Sequence, residues 1–176
     1  MGTISRIEDF KGIDTIIEVA KKIRDVEKNI KFFIRGNGSK FQKYFNIIAD
    51  NELSDTVFLV KEYLPANEIP KLFKSFDMFF MPTRREGFGM VFAEAMSMGI
   101  PVICPKIYPV IEVVPDALGL VIEPEDINGY YEAILNSYHN YDERKNIAQK
   151  AQEYALNRWG NKSAAEKLVG EMMVDL

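Results

Sequence analysis

The sequence predicts an α/β domain with a doubly wound parallel sheet, and three observations carry that prediction. Several apolar segments, such as 78–81 and 101–104, are short and continuous rather than alternating, the mark of strands covered on both faces. These segments alternate with stretches of helical periodicity. Six strand candidates fit within 176 residues without an internal repeat, a low-complexity tract or a linker, about the content of one such domain.

The elements follow in order. Residues 3–5 read as the end of a strand cut short by the chain start. Residues 12–28 carry Ile13, Ile16, Ile17, Ala20 and Ile23, the spacing of an amphipathic helix. Residues 30–34 read as a strand, stopped by Gly36-Asn37-Gly38. A helix at 41–49 leads to a short β-rich run at 56–60. Residues 69–76 are expected to be helical, and 78–81 form a buried strand ending at Pro82. A helix at 90–98 precedes strands at 101–104 and 118–122. A helix at 129–137 follows, then a helical tail over 142–173 with a break at Trp159-Gly160. In such sheets ligands bind at the carboxyl ends of the strands, where Arg6, Gly36, residues 82–89 and residues 104–109 all fall.

Composition narrows the function classes. Hydrophobic residues make up 47% and charged residues 27%, as in ordinary globular proteins. A net charge of -4 without a basic block argues against nucleic acid as a partner. The single cysteine, Cys104, excludes an intramolecular disulfide and is compatible with a reducing compartment, so a cytoplasmic location is expected. Met1-Gly2-Thr3-Ile4-Ser5 lacks the pattern of a secretory leader, and no run approaches the ~18 apolar residues of a membrane span. Peripheral contact with the inner face of a membrane stays open.

The densest chemical signal is PTRREGFGMVFAEAMSMGIPV, residues 82–102. Glu86 lies in a loop, followed by Gly87-Phe88-Gly89 and a helix whose second turn carries Glu94. A glycine-flanked helix start leaves backbone N–H groups free and, with the helix dipole, favours an anion. The helix is apolar on nearly every side and is expected to be buried. Glu94 in that surface needs a partner, because a buried unpaired carboxylate is costly. An anion site flanked by two acids suits a phosphorylated, hydroxyl-rich ligand such as a nucleotide-sugar. Glu86 also reads as a first-turn acid complementing the helix dipole, and Phe88 as a core residue capping the helix.

Other residues also have plainer roles open to them. Arg6 and Lys11 in SRIEDFKG read either as solvated loop charges or, given their place at the same sheet edge, as cations neutralising a diphosphate. Gly36-Asn37-Gly38 lacks the third glycine of a dinucleotide fingerprint, since position 41 is Phe41. It reads as a strand-to-helix turn whose tight backbone gives a ligand room. His139, the only histidine, is expected on the surface, which argues against a zinc cluster or a Ser-His-Asp triad. Cys104 reads as a small buried hydrophobe, and Tyr130, Tyr131 and Tyr138 as core residues at helical spacing.

Taken together, these residues resemble the C-terminal, donor-binding half of retaining glycosyltransferases of the GT-B fold, a group rich in mannosyl- and glucosyltransferases. The resemblance covers essentially the whole chain, 1–176. Glu86-Gly87-Phe88-Gly89 with Glu94 is similar to the family's glutamate pair separated by seven residues, and SRIEDFKG to its Arg and Lys pair. IRGNGS is similar to the glycine turn after the second strand, FDMFFMPT to the strand before the glutamate loop, and Arg158-Trp159 to the aromatic turn before the last helix. Two places depart from the pattern: Tyr108-Pro109 stand where a glycine pair is usual, and Lys61-Glu62-Tyr63 where a glycine is usual beside the base.

The resemblance implies a Rossmann-like domain, one half of a GT-B fold, whose final helix, about 160–174, crosses to an N-terminal half carrying the acceptor site. It implies that Arg6 and Lys11 hold the donor diphosphate and that Glu86 contacts sugar hydroxyls. Backbone N–H groups of Phe88, Gly89, Met90 and Val91 would meet phosphate or sugar, beside Gly87, and Glu94 would accept hydrogen bonds from the ribose. The implied substrate is a UDP-, GDP- or ADP-sugar, with no cofactor and no metal, and the acceptor a glycan, lipid or small molecule. The chain is expected to be a fragment of a longer enzyme, or a short protein that depends on a partner, and inactive alone. A nucleotide-sugar binding module and a sugar-nucleotide epimerase of the same fold are the rival readings. The epimerase would need further acid–base residues, which are not evident.

Overall fold

The computed structural model describes residues 1–61 and 65–160. The chain runs β1 (Gly2–Ile4), α1 (Ile13–Arg24), β2 (Phe32–Arg35), α2 (Phe41–Asp50), β3 (Val57–Val60), α3 (Ile69–Lys74) and β4 (Phe79–Phe80). It continues through α4 (Met90–Ser97), β5 (Val102–Pro105), α5 (Val110–Val113), β6 (Leu120–Ile122), α6 (Ile127–His139) and α7 (Tyr141–Trp159). The six strands among the described residues are parallel, in the order β3-β2-β1-β4-β5-β6.

Successive residues of each strand point to opposite faces, and both faces are covered. Phe80 and Ile103 join the layer of α1 and α6 through Ile16, Ile17, Ala20, Tyr130 and Ile134. Their neighbours Phe79, Val102 and Cys104 join the opposite layer, where Phe73, Phe92, Met96, Ala151 and Ala155 pack. Apolar side chains on both faces explain why the strands read as continuous apolar runs. Cys104 is fully buried, as expected, and burial pushes its thiol pKa up, which keeps it an inert packing group.

The sheet grows in two directions from its centre: β1 to β2 to β3 on one side, β4 to β5 to β6 on the other. The loops leaving the carboxyl ends of β1 and β4 therefore diverge and leave a crevice between adjacent strands. The expected strands and long helices are present within a few residues of their expected bounds. The short helix α5 was not expected, because four residues show no readable period. The helix α7 ends at Trp159, at the expected break, and the proposed crossing helix lies almost wholly outside the described residues, as do Glu62 and Tyr63. Among the described residues, no helix is long and apolar enough to cross a membrane.

Candidate functional site

The loop after β1 is held on one side by the turn after β2. Ile7 donates its N–H to the Asn37 carbonyl (3.0 Å), and Lys40 donates to the Ile7 carbonyl (3.1 Å). A Cβ on Gly36 would stand 1.8 Å from the Ser5 carbonyl oxygen, and one on Gly38 2.2 Å from that of Ile7. This corrects the expectation that the glycine turn makes room for a ligand: the space is taken by the protein's own backbone. Glu8 accepts hydrogen bonds from the Ser39 N–H (2.8 Å) and hydroxyl (2.7 Å). Asp9 accepts from Lys43 Nζ (2.6 Å) and the Tyr44 hydroxyl (2.9 Å), which together hold its carboxyl at a pKa of about 2.

The same loop is locked to the loop after β4. Gly12 has φ 71°, and a Cβ there would stand 2.0 Å from the Pro82 carbonyl oxygen, so the start of α1 lies directly against Pro82. Arg84 donates its backbone N–H to the Phe10 carbonyl (2.7 Å). Its guanidinium meets both oxygens of Asp14 (2.9 Å each), the Asp9 carbonyl (2.8 Å) and Glu125 (2.7 Å). Across this junction the Lys11 ammonium pairs with the Glu86 carboxylate, their side chains only 12% and 11% exposed. Lys11 Nζ also lies 5.5 Å from the centroid of the Phe10 ring, and the Arg6 guanidinium 5.8 Å from it. Arg6 is exposed, and no carboxylate among the described residues pairs with it.

Beyond Glu86 the chain opens. Around Gly87 an added Cβ would meet nothing within 4 Å among the described residues. Gly89, at φ 87°, is the cap residue from which α4 starts, and among the described residues no side chain caps that start. The first amides of α4 are thus available to an anion. The expectation of a helix buried nearly all round is corrected here. Phe92, Ala93, Ala95 and Met96 are buried against α7 and β5, but Met90 is 48% exposed, Val91 half-buried and Glu94 exposed. The reason is that α7 covers only one side of α4. Phe88, read alternatively as a core cap, is 45% exposed. Glu94 therefore needs no internal partner, and among the described residues it has none. Its surroundings still desolvate the carboxylate enough to raise its pKa, although its surface is open.

Of the expected site residues, the structure brings Arg6 and Lys11 to the ring of Phe10 and Glu86 to Lys11, with Gly87, Phe88, Gly89, Met90 and Val91 continuing from Glu86 into α4. Glu94 stands one turn along α4 from Met90, and among the described residues no side-chain bond joins it to Arg6, Lys11 or Glu86. Tyr108, one of the departures from the family pattern, is 73% exposed, and nearby Val110 packs beside Gly89. Arg84 and Phe10 were missed by sequence reasoning. Their sole local signal was to lie inside the two motif loops. A cleft of about 490 Å³ between α6 and α7 shares no residue with this site.

The family model described as Glycosyl transferases group 1 matches residues 1–154. A glycosyltransferase of Methanocaldococcus jannaschii is 30% identical over 146 residues, covering 82% of this chain and 40% of that protein. A poly(ribitol-phosphate) alpha-N-acetylglucosaminyltransferase of Staphylococcus aureus is 31% identical over 169 residues, 95% of this chain and 34% of that protein. This chain thus spans well under half the length of these relatives. A TarM variant from S. aureus, solved with fondaparinux, alpha-GlcNAc-glycerol and UDP, superposes with a TM-score of 0.83 at 30% identity, over 96% of this chain and 34% of that one. The C-terminal domain of the Francisella tularensis group 1 protein LpcC shares the fold, with a TM-score of 0.80 at 22% identity, over 91% of this chain and 86% of that one. The fold is the Rossmann-like α/β fold found in GT-B glycosyltransferases, and by the extent of the family match this chain belongs to the glycosyl transferases group 1 family.

Proposed function

We propose that residues 1–176 are the donor-binding half of a retaining glycosyltransferase, holding a nucleoside-diphosphate sugar in the crevice between the β1 and β4 loops. The observation that carries the reading is the convergence of two cations, Arg6 and Lys11, with the uncapped start of α4 at the switch point of the sheet. In this reading Arg6, Lys11 and the amides of residues 88–91 take the diphosphate. Glu86 takes sugar hydroxyls, and Glu94, open and unpaired, takes the ribose. As the bond to the anomeric carbon breaks, negative charge gathers on the departing diphosphate, and fixed cations with helix N–H groups lower that cost. The acceptor hydroxyl then attacks the anomeric carbon on the same face and passes its proton to an oxygen of the leaving phosphate, without a side-chain base.

A UDP complex of a relative at 30% identity supports a nucleotide donor. A relative named poly(ribitol-phosphate) alpha-N-acetylglucosaminyltransferase, and others named for O-antigen and capsular polysaccharide biosynthesis, support a glycan acceptor, held by the remainder of the parent enzyme. Calorimetry of the chain with UDP, GDP, ADP and their common sugars tests the reading. One nucleoside diphosphate series should bind, and Lys11→Ala should weaken it about tenfold or more without a matching loss for the nucleoside. Sugar transfer is expected only from the full-length parent. Failure of every nucleotide to bind, or robust transfer by this chain alone, would contradict it.

A further inference from the structure

Resting on that reading, we infer that Glu86 makes the site discriminate between the sugar-bearing donor and the bare nucleoside diphosphate, by competing with the diphosphate for Lys11. The two residues assigned to different parts of the donor are bonded to each other in the ligand-free protein. Each is about nine-tenths covered, so neither charge is well solvated when its partner leaves. Among the described residues, Glu86 has no other cation, and Lys11 has only the face of Phe10 besides.

The loops cannot relieve the exchange by drifting apart. The close contact of Gly12 with Pro82, the Arg84-to-Phe10 backbone bond and the Arg84–Asp14 pair all tie the Lys11 segment to the Glu86 loop. A diphosphate that takes Lys11 therefore leaves Glu86 in place, stripped of its cation and beside new negative charge. A donor carrying a sugar brings hydroxyls that replace Lys11 as the partners of Glu86. A bare nucleoside diphosphate brings none. The penalty falls on the product of transfer and spares the substrate, which favours release of one and retention of the other.

The test is a double-mutant cycle read by calorimetry on the 176-residue chain, using the UDP, GDP and ADP panel with wild type, Glu86→Gln, Lys11→Met and the double variant. Glu86→Gln should bind the preferred nucleoside diphosphate about threefold to tenfold tighter than wild type. It should bind the matching nucleotide-sugar no tighter. The gain should vanish in the Lys11→Met background, because it acts by freeing Lys11. Glu86→Asp, one methylene shorter and still charged, should also gain affinity, and it serves if the glutamine variant does not fold. If wild type binds but neither Glu86 variant binds tighter, this inference falls and the donor-site reading stands. An equal gain with and without Lys11 reduces the effect to plain charge repulsion and also overturns it. If none of the proteins binds any nucleotide, both fall together.

Discussion

The guanidinium of Arg84 grips the carboxylate of Asp14 with two parallel hydrogen bonds, Nη1 to Oδ1 and Nη2 to Oδ2, each 2.9 Å long. Asp14 lies in the first turn of α1 and Arg84 in the loop after β4, so this fork fixes the distance between the segments that carry Lys11 and Glu86. Arg84→Ala should lower stability by about 1.5–3 kcal/mol, the range for hydrogen bonds to charged groups, measured by urea unfolding. Arg84→Lys should recover little, because one ammonium cannot reproduce the bidentate contact and also reach Glu125. Full recovery by lysine would show that charge alone matters.

Two glycines at this edge should respond in opposite ways. Gly12→Ala puts a methyl 2.0 Å from the Pro82 carbonyl oxygen at a φ of 71°, so thermal unfolding should show a large loss of stability. Gly87→Ala meets nothing within 4 Å, so the unfolding midpoint should hardly move. If ligand approaches that open backbone, the alanine at 87 should instead weaken nucleotide binding, which titration of the folded variant measures.

Replacement of Glu94 separates a ligand acceptor from a structural acid. Partial desolvation raises its pKa above 4.5 in the folded chain. The ionised form then opposes folding at neutral pH, and the penalty disappears as pH falls through the raised pKa to the unfolded value. Glu94→Gln should therefore melt at or above the wild-type temperature at pH 7, and the two midpoints should converge near pH 4.5. Nucleotide affinity should drop. A large fall in the ligand-free midpoint, with ligand stabilisation unchanged, would refute the ribose assignment.

Asp9 governs an acid-dependent tie between the β1 loop and α2. Its folded pKa is depressed from 3.8 to about 2 by Lys43 and Tyr44. A depressed carboxylate contributes stability that is complete above the unfolded value and lost as pH falls from 3.8 toward about 2. Asp9→Asn should reduce the midpoint at pH 7 and flatten the wild-type decline across that window. Parallel decline in both proteins would assign the acid sensitivity to other groups.

The sequence by itself determined the fold class and singled out the segments that form the candidate site. Apolar runs such as Met78–Phe79–Phe80–Met81 record burial on both sheet faces, and the spacing of Ile13, Ile16, Ile17 and Ala20 records one covered helix face. Glu86-Gly87-Phe88-Gly89 with Glu94 was legible because a glycine turn, a helix start and two acids lie within one short segment. Tertiary structure alone decided which groups meet. Lys11 and Glu86 are 75 positions apart and Arg84 and Asp14 are 70 apart, and no periodicity encodes a pairing between distant loops. It also decided that Met90 and Glu94 stay open, since hydrophobic pattern says that a helix has apolar sides but not how many of them α7 reaches. Periodicity reports whether a residue is apt to be covered; what covers it depends on strand order, and the switch point between β1 and β4 arises only when β4 pairs with β1.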